Sequence, residues 1–134
     1  MELRAQLTVL PPREQARRLT AVVQSLVTQI ERTEPDAPEA KAALDTIRAW
    51  GDGARITGRD FSDLIYSDDE HGTLRRLSEA DGKPSEGAWN ALTTATAYVA
   101  WLAYRQTGEL MPSDINEVGE DSLDLLDEQL ADLA

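Results

Sequence analysis

The chain has 134 residues, enough for one domain with its own apolar core, and 41% of them are hydrophobic. Asp and Glu number 25 against 13 Lys and Arg, a formal net charge of −12, which disfavours nucleic acid and anionic lipid as partners and favours cationic protein surfaces. Cysteine is absent, which excludes disulfides, a thiol nucleophile and thiolate metal sites.

The opening "MELRAQLTVLPPREQ" has no basic region leading into a long apolar run. It does not read as a secretory signal, and a cytoplasmic protein is expected. Pro11 and Pro12 suit the first turn of a helix. Leu19, Val22, Val23, Leu26, Val27 and Ile30 then recur at helical spacing, which predicts an amphipathic helix to about Arg32, before "EPDAP". A second helix is predicted from about Pro38 to Trp50, with Ala40, Leu44, Ile47 and Trp50 as its apolar stripe and Gly51 and Gly53 at its end.

In "TGRDFSDLIYSDD", Thr57 and Asp60 have the spacing of a capping box, and Phe61, Leu64 and Ile65 give a short helix its buried side. Another turn or two of helix is expected around Leu74 and Leu77. "ADGKPSEG" breaks the chain at Asp-Gly, and Pro84 suits a new helix start.

Gly87 to Tyr104 form an 18-residue run without a charge, "GAWNALTTATAYVAWLAY". As a membrane span it is at the lower limit of length, interrupted by Asn90, Thr93, Thr94 and Thr96, and flanked by no basic cluster. A central helix over about 85–107, buried on most of its faces and closed by Gly108, fits better. Ser113 is placed as the cap of a short turn before Gly119. Leu123, Leu126, Leu130 and Leu133 make a final amphipathic helix. No period-two run suggests a strand, and neither a repeat nor a linker divides the chain. The expected fold is all-α, a single domain over 1–134 with about five to six helices around the central apolar one.

Catalytic chemistry finds little support. His71 is the only histidine, and nothing near it resembles a nucleophile turn. "DDEHG" fails as a calcium loop: with Gly72 at position 6, Ser67, His71 and Ser78 occupy ligand positions 1, 5 and 12. A solvated acidic loop accounts for it. There is no Glu-x-x-His pair for a carboxylate-bridged metal hydrolase in a bundle, which ranks that reading last. No enzyme activity, cofactor or metal is expected. Trp50, Trp89, Trp101, Tyr98 and Tyr104 read as core and rim packing, with Tyr98, Trp101 and Tyr104 along one helical edge. Tyr66, followed by the acids of "IYSDDE", is either an ordinary surface tyrosine or an anchor on a protein-binding surface.

Charge is the most informative feature. From Gln106 to Ala134 there are nine acids and no base, three-quarters of the net charge. Glu120 and Asp121 suit a helix N-terminus, whereas the later acids oppose the helix dipole. With the leucines turned inward, Asp121, Asp124, Asp127, Glu128 and Asp132 are expected around the outside. Such a field either solubilises the protein or attracts a basic partner.

An acidic, cysteine-free, single-domain α-protein without a catalytic set resembles a bacterial immunity protein of a polymorphic toxin system. Within that class, "GAWNALTTATAYVAWLAYRQTGELMPSDINEVGED" over residues 87–121 resembles the C-terminal half of the Imm6 family. The features are a Trp early in a long helix, the "AWLAY" close, a short link from Gly108 to Pro112, and the acidic "INEVGED". The resemblance implies a cytoplasmic protein that binds and blocks a cognate toxin domain, and it brings no defined residue set.

The residues themselves nominate Tyr66, Asp68, Asp69 and Glu70 in the middle of the chain and Glu117, Glu120, Asp121 and Asp124 near its end as the partner-binding surface. The partner expected is a toxin domain with a basic surface, with neither nucleic acid nor membrane involved. A helical adaptor for some other basic protein is the alternative.

Overall fold

The structure, a computed structural model, describes residues 2–66 and 72–133. Among them are eight helices and no strand: α1 (Leu3–Leu7), α2 (Pro12–Thr33), α3 (Pro38–Gly51), α4 (Gly58–Tyr66), α5 (Thr73–Glu79), α6 (Glu86–Thr107), α7 (Ser113–Asn116) and α8 (Asp121–Leu133). The long helices follow their predicted spans closely, because each has a continuous apolar stripe ended by a breaker. Helix α1 has no counterpart in the sequence reading. With only Leu3 and Leu7 as its buried side, it is too short for a periodic signal.

Helix α6 is the axis of the bundle and packs against α2, α3, α4, α5, α7 and α8. Its charge-free composition follows from that position. Ala88, Trp89, Ala91, Leu92, Ala95, Thr96, Tyr98, Val99, Ala100, Leu102, Ala103 and Tyr104 are all buried. The many alanines let neighbouring helices approach, and Thr96 returns its hydroxyl to the Leu92 carbonyl at 2.8 Å, so the one fully buried threonine of the run leaves no donor unpaired. Gly108 closes the helix in the left-handed conformation, φ +73°.

Long-range bonds set the directions. Tyr98 on α6 donates its hydroxyl to Gln15 near the start of α2. Nine residues earlier on α6, Trp89 Nε1 donates to Glu34 just past the end of α2 at 2.6 Å, so α2 runs antiparallel to α6. Helix α8 is also antiparallel to α6, since Leu133 lies against Gly87, where an added Cβ would come within 2.9 Å of Leu133 Cδ2.

The expected capping box is present at α4. The Asp60 amide donates to Thr57 Oγ1 at 3.1 Å, and the Thr57 amide donates to Asp60 Oδ2 at 2.9 Å. Glu109, from the link after α6, adds a third cap by accepting the Gly58 amide at 2.8 Å. Burial works against the Glu109 carboxylate, but its bonds from Thr107, Gly58 and Arg59 prevail and hold its pKa below the ordinary value. Gly58 itself lies on the Tyr104 ring: a Cβ there would sit 2.4 Å from Cγ, so any side chain would drive α4 off α6.

Ser113 does not act as the cap of α7. Pro112 occupies the cap position, Ser113 begins the helix, and no side-chain cap bond forms. Pro112 has the extended backbone a cap position needs and has no amide of its own to satisfy.

Candidate acidic docking surface

The C-terminal acids do not form one uniform skin. In α8 the leucine stripe splits by depth: Leu123 and Leu126 are fully buried, and Leu130 and Leu133 are partly so. The flank of α8 beside that stripe is covered by α1. Arg4 places Nη1 2.9 Å from both Asp121 Oδ1 and Asp124 Oδ2, and Nη2 lies 3.9 Å from Glu120. The Asp124 hydrogen bond leads the effects that raise the Arg4 pKa further. Asp127 is only partly exposed and accepts the Leu3 amide at 2.9 Å, so its expected place among the outward acids is corrected. A carboxylate at that position caps the start of α1, which has no side-chain cap of its own.

Asp121, Glu128 and Asp132 remain on the outer face of α8, spaced at i, i+7 and i+11. Leu125 lies among them at i+4 and is 46% exposed. It breaks an otherwise acidic face. Beside it a groove of about 390 Å³ runs between α6 and the α7–α8 corner. Its floor is a partly exposed strip of α6, Thr93, Thr94 and Ala97, and its walls are Val118 and Leu125. Glu117 and Asp121 stand at its rim, and no basic residue lines it.

The structure thus gathers Glu117, Glu120, Asp121 and Asp124 at one corner. Tyr66 stands apart at the end of α4, 42% exposed. Burial and then the Asp114 carboxylate raise its hydroxyl pKa, which makes Asp114 of α7 its electrostatic neighbour. Asp68, Asp69, Glu70 and His71 lie outside the described residues. Arg4, Leu125 and Ala97 were not among the nominated residues. Only Leu125 had a visible signal: it is the one leucine of "SLDLLDEQL" off the apolar stripe.

The aromatics divide as expected into core and rim. Trp50, Trp89, Tyr98 and Tyr104 are buried, and Trp101 is partly exposed, stacked on Tyr98 at 5.8 Å and covered by Arg105 at 4.3 Å. Burial, followed by the Glu120 charge, pushes the Tyr98 hydroxyl up to about 12. A tyrosine kept neutral by folding stabilises the fold fully below its unfolded pKa of about 10, and that contribution is lost as pH rises through about 12. The stability gap between the parent and Tyr98→Phe should therefore narrow between these two values in urea melts. A constant gap up to about pH 11.5, roughly 1.5 units past the free value, would show that Tyr98 titrates freely.

No described helix is long and apolar enough to cross a membrane. No group of three or more His, Asp or Glu among the described residues is placed to hold a metal ion. No curated protein and no solved structure matches the chain. The sequence does match one protein family, Immunity protein Imm6, over residues 14–133. That match runs from the first turn of α2 to the last residue of α8, well beyond the 87–121 stretch that carried the resemblance. The chain therefore belongs to the Imm6 family of immunity proteins.

Proposed function

We propose that this protein binds a cognate toxin domain in the cytoplasm and neutralises it without catalysis, by covering the surface the toxin needs for its activity. The observation that carries the reading is the family match over nearly the whole fold. The charge distribution supports a basic toxin: the last 29 residues hold nine acids, and α1 brings them a single cation in Arg4. Such a field speeds encounter and orients the partner, while a few well-packed anchors set the lifetime of the complex. Glu117, Glu120, Asp121 and Asp124 supply the field at one corner. Tyr66 extends the surface beyond Asp114, and the acids Asp68, Asp69 and Glu70 that follow it in sequence join it as partner-binding residues in this reading.

Co-expression tests this reading. A cognate toxin domain, produced in a bacterial host, should arrest growth, and the protein should restore it while forming a complex that co-purifies. An adaptor for some other basic protein would leave growth arrested. Continued arrest with both proteins well expressed would overturn the immunity reading.

A further inference from the structure

The groove between α6 and α8 has a shape and a rim that suit one kind of occupant. Its floor is a partly exposed strip in the middle of α6, between the exposed Asn90 and the partly exposed Trp101, and that strip is built from short side chains, Thr93, Thr94 and Ala97. A partner can therefore approach the α6 backbone closely. Leu125 forms the outer wall with almost half of its surface in water, at a position where the rest of the α8 face is acidic. An exposed leucine among carboxylates contributes little to folding, since the core of α8 is made by Leu123 and Leu126. At a binding surface the same arrangement is an apolar contact ringed by polar groups, the usual anatomy of a hot spot.

We infer that this groove receives an apolar side chain of the toxin, presented on a segment whose neighbouring Lys or Arg residues pair with Glu117 and Asp121. The inference rests on the immunity reading above and adds the chemistry of the contact. Charge complementarity selects the occupant. A second copy of this chain would bring its own acidic corner against this one, and an anionic lipid surface or a nucleic acid would be repelled by the same rim. Arg4 illustrates the preference of this corner: a guanidinium from a helix 117 residues away in sequence lies between Asp121 and Asp124 on the opposite flank of α8. The flank facing the groove has no such cation among its lining residues, so Glu117 is left for a partner's base.

The test uses the full chain and an inactivated form of the cognate toxin domain in surface plasmon resonance. Ala97→Gln fills the floor of the groove, and Leu125→Ser removes its wall. Both positions are at least partly exposed, so thermal midpoints should stay close to that of the parent. Each variant should dissociate about tenfold faster or more, with association little changed, as loss of a packed anchor does. Glu117→Lys should instead slow association. If the parent binds and rescues growth while both groove variants dissociate within about twofold of it, well short of a hot-spot loss, the groove assignment is wrong and the immunity reading stands. If the parent neither binds nor rescues, both fall. Should Leu125→Ser lower the midpoint, Ala97→Gln alone decides, because it deletes no contact in the fold.

Discussion

Replacing Trp89 with alanine should lower the stability of the fold by about 3–5 kcal/mol, the cost of emptying a large buried aromatic site. Trp89 has no solvent exposure and stands near the start of the axial helix α6. Its ring also organises a polar cluster. Nε1 donates to Glu34 Oε2, the Arg76 guanidinium lies 5.1 Å above the ring, and Arg76 is 3.9 Å from Glu34 and 3.6 Å from Glu39. The indole thus joins the link between α2 and α3 to α5 and α6. Alanine would open a cavity, remove a charge-assisted hydrogen bond and take the apolar support from beneath Arg76. Trp89→Phe keeps much of the volume and loses the donor, and should cost less, about 1.5–3 kcal/mol, the range for a hydrogen bond to a charged group, because Glu34 keeps Arg76. Urea melts followed by circular dichroism measure both. An unchanged midpoint for the alanine variant would contradict the placement of α6 as the axis.

The second large effect concerns the rate of toxin capture. Neutralising Asp114, Glu117, Glu128 and Asp132 together should slow association about tenfold or more at low ionic strength and flatten its dependence on salt. Screening extends over only about 10 Å at 0.1 M salt, so the same change should matter far less there. Dissociation should change less than association. These four acids are the informative choice because all are exposed and none is tied to Arg4 or to the α1 backbone. Replacing Asp121, Asp124 and Asp127 would also unfasten α1 and mix a folding effect with an electrostatic one. Surface plasmon resonance over a salt series reads the result. Association as fast as that of the parent at low salt would make the acids a solubilising layer only.

Much of the architecture was legible in the sequence because it is written locally. A helix face repeats every three or four residues, and a breaker ends it within one turn. The stripes of α2, α3 and α8 and the capping box at Thr57 could therefore be read without knowing what they touch. The lack of charge from Gly87 to Tyr104 implied burial on most faces, which is a statement about solvent and needs no partner to be named. The family was legible only in part, from the composition of α6 and the turn after it.

What only the tertiary structure decided is which residues share a surface. Local periodicity placed the acids of α8 outside as a group, but it could not distribute them. Asp127 turns toward α1 and Asp124 pairs with Arg4, because a five-residue helix from the far end of the chain docks along α8. Leu125 gained a role for the same reason: it lies off the stripe that buries α8, yet it lines a groove with Thr93, Thr94 and Ala97, a strip of α6 that its neighbours leave partly open. Contacts across more than a hundred residues depend on how helices pack, and packing is settled by the whole core at once, whereas periodicity reports only the neighbours along the chain.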